Sequence, residues 1–133
     1  MSAAITIRVY YEDTDLAGIV YYANYLKFIE RGRTEWVRAL GIDQSRLKAE
    51  DGIVWVVRRI EADYLRPARF DDELTVETRL DTVTGARIAL EQTVRRQGEL
   101  LFQALVTLVC LTDAGHAARL PAELRRKLAP ALH

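Results

Sequence analysis

A chain of 133 residues, half of them hydrophobic, is long enough for one domain with a buried core, here residues 1–133. Its 19 basic and 19 acidic side chains cancel, which argues against a general nucleic-acid binder, and no run approaches the roughly 18 apolar residues of a membrane span. The single cysteine, Cys110, excludes an internal disulfide, and residues 1–6 lack a basic, apolar leader, so the expected location is a reducing cytoplasm.

Residues 5–12 alternate, with Ile5, Ile7, Val9 and Tyr11 on one side and Thr6, Arg8 and Tyr10 on the other, which predicts a half-buried strand. A loop follows over 13–22. There Glu12, Asp13 and Asp15 lie among Tyr10, Tyr11, Tyr21, Tyr22 and Tyr25, and Gly18 gives the turn access to positive φ. The spacing then becomes helical over 23–40: Tyr25, Phe28, Ile29, Gly32, Trp36, Val37 and Leu40 share a face, and Gly41 ends the helix. Gly32 costs about 1 kcal/mol against alanine inside a helix, so it asks for a neighbour packed close upon it. Asp43 or Ser45 is placed to cap a short second helix reaching about Glu50.

Residues 53–65 read as a strand with Val56, Ile60, Ala62 and Tyr64 on one face, interrupted by Arg58 and ended by Pro67. Residues 73–81 alternate almost without fault. A turn near Gly85 leads to a strand with Ile88, Leu90 and Val94 on one face, and Gly98 marks the next turn. Residues 100–112 are apolar on both faces, which predicts cover on both sides, the second from another subunit. Residues 121–128 predict a short helix with proline in its first turn. One helix and then four strands imply an α+β domain with a long helix on one sheet face.

The chemistry concentrates before the long helix. A loop carboxylate delivered to a helix N-terminus, with its unpaired N–H groups and positive dipole end, suits acyl chemistry. Asp15 has the alternative of merely stabilising the turn, and Asn24 either caps the helix or touches a substrate. Glu12 and Asp13 read as solvated or turn-stabilising, and the 12, 13, 15 spacing matches no cation loop, so no metal site is expected. Cys110 falls on an apolar strand face, as a core filler does. Neither His116 nor His133 lies in the acidic loop.

The segments Tyr10–Asp15, Gly18–Tyr22, Tyr25 and Phe28–Glu35, with Val56–Arg59 and Pro67–Leu74, resemble the hotdog-fold acyl-CoA thioesterases, specifically the Tol–Pal-associated and 4-hydroxybenzoyl-CoA branches. The resemblance spans nearly the whole chain and implies a five-stranded antiparallel sheet wrapped around one long central helix. It also implies homodimers or homotetramers with sites between subunits, and no cofactor beyond the coenzyme A carried by the substrate. It places the catalytic carboxylate at Asp15, as nucleophile or general base, and the oxyanion donor at the backbone N–H of Tyr22. Many Tol–Pal-type members carry histidine where this chain has Tyr22. Gly18, Val20, Asn24 and Tyr25 are expected at the substrate, and Arg58, Arg59 and Arg87 at the nucleotide phosphates, since a guanidinium fork suits phosphate oxygens. An acyl-carrier protein is an alternative thioester donor. Two rival functions remain: an acyl-thioester or envelope-partner binding module without catalysis, and an acyl-thioester dehydratase or hydratase, which generally wants a histidine beside the acid.

Overall fold

Leu74, Val76, Thr78 and Leu80 are all buried and alternate with exposed residues, so β3 (Glu73–Val83) presents one dry face. It pairs with β1 (Ser2–Arg8) on one side and β4 (Arg87–Arg96) on the other. β5 (Glu99–Thr112) pairs with β4 and with β2 (Ile53–Tyr64). The result is a single antiparallel sheet in the order β1-β3-β4-β5-β2, with β1 and β2 as its edges. The structure, a computed structural model, describes residues 2–131; Met1, Leu132 and His133 lie outside the described residues.

Helix α1 (Asn24–Ala39) lies on the dry face, against β1, β3 and β4, and buries Tyr25, Phe28, Ile29, Gly32, Trp36 and Val37. Burying side chains of this size contributes about 1.5–3 kcal/mol each. The close neighbour that Gly32 asks for is β3: a Cβ at position 32 would stand 2.9 Å from Val76 Cγ1 and 3.1 Å from Thr78 Oγ1. Beside it lies a buried polar knot. Gln92 donates from Nε2 to Ile29 O and to Thr78 Oγ1, each at 2.8 Å, and its Oε1 accepts from Arg33 Nη1 at 3.0 Å. Every polar group of the Gln92 side chain is therefore satisfied in the core, which fixes α1 against the sheet. Burial pulls the Arg33 guanidinium below its ordinary value, and the charge of Glu30 opposes this.

Helix α2 (Gln44–Asp51) starts where Asp43 Oδ1 accepts the Arg46 N–H at 3.1 Å, so Asp43 is the cap. Helix α3 (Ala122–Leu128) follows Pro121 and closes the core with Leu124 and Leu128.

Two expectations need correction. The first strand spans 2–8, not 5–12, because Asp13 Oδ2 accepts the Tyr10 N–H at 2.8 Å and draws residues 11–13 into a 3-10 turn. Tyr11 is thereby left exposed instead of on the buried side. In β2 the register shifts between Val57 and Arg59, so Trp55 and Val57 join Ile60, Ala62 and Tyr64 opposite the buried face of β5, while Val56 turns outward. A bulge at Arg58 inserts one residue and reverses the parity. In β5 the face carrying Phe102, Ala104, Val106, Leu108 and Cys110 is covered within the chain; of the other apolar positions Leu101 is buried, Leu105 is exposed, and Val109 and Leu111 are half-buried.

Candidate active site

Asp15 stands at the mouth of a tight turn. Its N–H donates to Ile19 O at 2.9 Å, its carbonyl accepts the Gly18 N–H at 3.0 Å, and its Oδ1 accepts the Ala17 N–H at 2.9 Å. Gly18 has φ +78°, which glycine adopts without strain, and the space where a Cβ would stand is open. The second carboxylate oxygen has no hydrogen-bond partner among the described residues. Asp13 has a different task. Its carbonyl accepts both the Tyr21 N–H and Asn24 Nδ2, each at 2.9 Å, while its carboxylate holds Tyr10.

The turn rests on the connection between β2 and β3. Val20 donates its N–H to Ala68 O at 2.8 Å, and Ala68 in turn donates its N–H to the Tyr25 hydroxyl at 3.0 Å. That connection is itself clamped: Arg96 pairs with Asp72 and Glu99, both at 2.8 Å, and Asp72 Oδ2 also accepts the Arg69 N–H. Hydrogen bonds to Asp72 and then Glu99 raise Arg96 above its ordinary value. Val20 and Tyr25, each 3 % exposed, are walls and supports behind the site with almost no surface for a ligand.

The start of α1 carries no side-chain cap. The residue before it is Ala23, which has no acceptor to offer. Asn24, an expected cap, is spent on Asp13 O. Among the described residues the N–H groups of Tyr22 and Ala23 have no partner, whereas the carbonyls just before them are held: Tyr21 O by the Asn24 N–H at 2.8 Å, and Tyr22 O by the Tyr64 hydroxyl at 3.0 Å. The charge of Asp15 reaches this spot: the Tyr21 phenol is raised, first by the neighbouring Tyr22 hydroxyl, then by burial and lastly by Asp15. Around it stands an aromatic cluster. Tyr21 and Tyr22 have ring centroids 4.9 Å apart, Tyr64 meets Phe102 edge-on at 5.0 Å, and Tyr25 stacks on Phe102 at 4.9 Å. Burial raises the Tyr64 phenol, with Tyr22 adding.

The predicted residues therefore divide. Asp15, Gly18, Val20, Tyr22, Asn24 and Tyr25 converge on one end of the sheet. Arg58, Arg59 and Arg87 do not join them. Arg58 is at the bulge, Arg59 pairs with Glu61 at 2.6 Å, and Arg87 opens β4 opposite Val109. Val109 lies seven residues along β5 from Phe102, about 23 Å at about 3.3 Å per residue. Cys110 is buried, and burial raises its thiol. His116 lies in the turn after β5, where its N–H donates to Thr112 Oγ1. Among the described residues no group of three His, Cys, Asp or Glu is arranged to hold a metal ion, and no helix is long and apolar enough to cross a membrane. Sequence reasoning missed Tyr64 and Ala68, whose parts depend on contacts across more than forty positions.

Comparison with known proteins shows which family the chain resembles. The Thioesterase-like superfamily model matches residues 9–128. The acyl-CoA thioesterase YbgC of Haemophilus influenzae is 45% identical over 105 residues, covering 79% of this chain and 77% of that one. The long-chain acyl-CoA thioesterase FadM of Escherichia coli is 33% identical over 131 residues, 96% of each chain. The crystal structure of a probable thioesterase from Bartonella henselae superposes with a TM-score of 0.87 at 37% identity, covering 91% of this chain and all of that one. With a family match across nearly its whole length and an uncapped helix start facing an acid turn, this chain belongs to the thioesterase-like superfamily and has the hotdog architecture.

Proposed function

We propose that this chain hydrolyses acyl-coenzyme A thioesters to a free acid and coenzyme A, with Asp15 supplying the carboxylate and Tyr22 N–H the oxyanion donor. The observation that supports this best is the pairing of a turn-held carboxylate, one oxygen of it unpartnered among the described residues, with an uncapped helix start. The names of the relatives at 45% and 33% identity point the same way. Two routes fit. In one, Asp15 attacks the thioester carbonyl, the thiolate of coenzyme A leaves, and water hydrolyses the resulting anhydride. In the other, Asp15 takes a proton from water as the water attacks. In both, negative charge grows on the carbonyl oxygen, where fixed N–H donors and the helix dipole stabilise it.

The substrate brings its own coenzyme A, so the reading invokes no resident cofactor or metal. Gly18 leaves the approach to Asp15 open, Asn24 holds the loop, and Val20 and Tyr25 back the site. Because Arg58, Arg59 and Arg87 lie far from Asp15 in one chain, we assign them to the nucleotide bound at a neighbouring subunit's site, in a homodimer or homotetramer in the cytoplasm. A thioester on an acyl-carrier protein would present the same reacting group.

Thiol release across a panel of acyl-CoAs tests the activity, and Asp15→Asn tests the residue. The substitution keeps the size but removes the charge and the nucleophile. kcat is expected to fall by about 10²–10⁴, with melting temperature near wild type. Asp13→Asn keeps an acceptor for Tyr10 and should lose far less. Single turnover in heavy-oxygen water separates the routes. An oxygen from Asp15 in the first acid released marks direct attack followed by hydrolysis at the aspartyl carbon, whereas general-base attack puts solvent oxygen into the product from the first turnover. Near-normal hydrolysis by Asp15→Asn would refute both.

A further inference from the structure

Tyr64 is the last residue of β2 and pairs with Phe102. The bulge at Arg58 sets its side, and its ring wedges edge-on between Phe102, Tyr25 at 5.5 Å and Tyr22 at 6.2 Å. It is nonetheless 48 % exposed, more open than a packing residue needs to be. Its hydroxyl donates to Tyr22 O at 3.0 Å. In a regular helix that carbonyl would take the N–H of Leu26, but Leu26 donates to Ala23 O instead, at 3.2 Å. The Tyr22 carbonyl, one residue ahead of the cap, thus lies outside the helix ladder and is claimed by a side chain of another strand.

The carbonyl of Tyr22 and the N–H of Ala23 belong to one amide plane. Fixing the first fixes the second, and an amide whose oxygen accepts a hydrogen bond is a stronger donor through its nitrogen. Ala23 already has helical backbone angles, φ −70° and ψ −20°, and its N–H is without a partner among the described residues. We propose that Tyr64 is a positioning residue of this site: its hydroxyl locks and polarises the Tyr22–Ala23 amide, so that the Ala23 N–H serves as a second oxyanion donor beside that of Tyr22. This rests on the reading of the site as a thioesterase site, and assigns it a residue that never touches substrate.

The test is Tyr64→Phe in the full-length chain, which keeps the ring and its edge contacts and removes only the donor. The assay uses whichever of acetyl-, decanoyl- and benzoyl-CoA the wild type turns over fastest. kcat should fall about tenfold with KM within about twofold, because the loss is felt where charge develops on the carbonyl oxygen. The melting temperature should stay close to wild type. A second readout follows the donor itself: the carbon-13-edited infrared stretch of the substrate carbonyl bound to Asp15→Asn. Adding Tyr64→Phe should move that band to higher frequency, toward its value in water, since a weaker donor polarises the carbonyl less. Unchanged kcat in Tyr64→Phe with normal wild-type hydrolysis overturns the role of Tyr64 and leaves the thioesterase reading standing. A fall in kcat with an unmoved carbonyl band makes Tyr64 a packing residue and also overturns it. A wild-type chain that releases no thiol from any of the three overturns both readings together.

Discussion

Gly32→Ala sets two effects against each other, and the structure decides between them. Alanine is the better helix former by about 1 kcal/mol, so propensity alone predicts a more stable protein. The new methyl group, however, would meet Val76 Cγ1 at 2.9 Å and Thr78 Oγ1 at 3.1 Å. Neither neighbour has room to give. Val76 and Thr78 are fully buried, and the Thr78 hydroxyl is tied to Gln92 Nε2, which is tied to Ile29 O on the helix itself. Overpacking a core costs about 1–3 kcal/mol, and a site pinned this way belongs at the upper end. The net expectation is a loss of about 2 kcal/mol, which for a domain of this size lowers the melting temperature by about 6–10 °C. Urea unfolding monitored by circular dichroism measures it, with the slope m unchanged. The Val76→Ala partner completes a double-mutant cycle, in which the double variant should be about 2 kcal/mol more stable than the sum of the singles predicts. A Gly32→Ala protein as stable as wild type, or an additive cycle, would refute the claim that β3 closes on this glycine.

Two further outcomes concern the assembly. Arg87→Ala should raise KM for acyl-CoA with little change in kcat and leave a pantetheine thioester, which lacks the nucleotide, unaffected; equal effects on both substrates would remove Arg87 from phosphate recognition. Sedimentation at micromolar concentration should show a dimer or tetramer, and an active monomer would contradict sites shared between subunits.

Much of the scaffold was legible because β3 and α1 obey simple periods. Burial on one side imposes alternation on Leu74, Val76, Thr78 and Leu80, and helical spacing on Phe28, Ile29, Trp36 and Val37. Gln92 left a usable signal too: a polar residue on the face of Ile88, Leu90 and Val94 predicts a buried partner. What stayed hidden were events without a marker in the local pattern. The end of β1 depends on Asp13 reaching back to Tyr10, and the faces of β2 depend on an extra residue at Arg58. Asp15 was singled out by the family resemblance, while the turn that carries it, with Gly18 close by, is legible from the local sequence. Tyr64 was not singled out, since nothing in its neighbourhood along the chain points to a carbonyl forty-two positions earlier. Tyr25 shows the reverse: a tyrosine beside the acid loop looks like a ligand contact until its ring is found stacked on Phe102.

The placement of the arginines carries the argument for a shared site one step further. Within one chain the acid turn lies at the Phe102 end of β5, and Arg87 lies opposite Val109, toward the other end. A substrate whose thioester meets Asp15 would have to cross most of the sheet to reach that guanidinium in the same chain. A second copy related by a two-fold axis can bring the far end of its own sheet to the first copy's acid turn, which places the two groups side by side. The chain offers a surface for such a copy. β2 is twelve residues long and forms a sheet edge, and its one irregularity is the bulge at Arg58. Beside that edge, Leu105, Val109 and Leu111 of β5 and Val56 of β2 leave apolar surface on the face away from α1. Natural proteins blunt free edges with charge, proline or cover, and an edge this long beside apolar surface is expected to be covered. The same strand that would meet the partner ends in Tyr64, whose hydroxyl holds the amide at the helix start. Pairing along β2 would therefore steady the donor side of the site while the partner supplies the phosphate grip, so that assembly and catalysis draw on one strand.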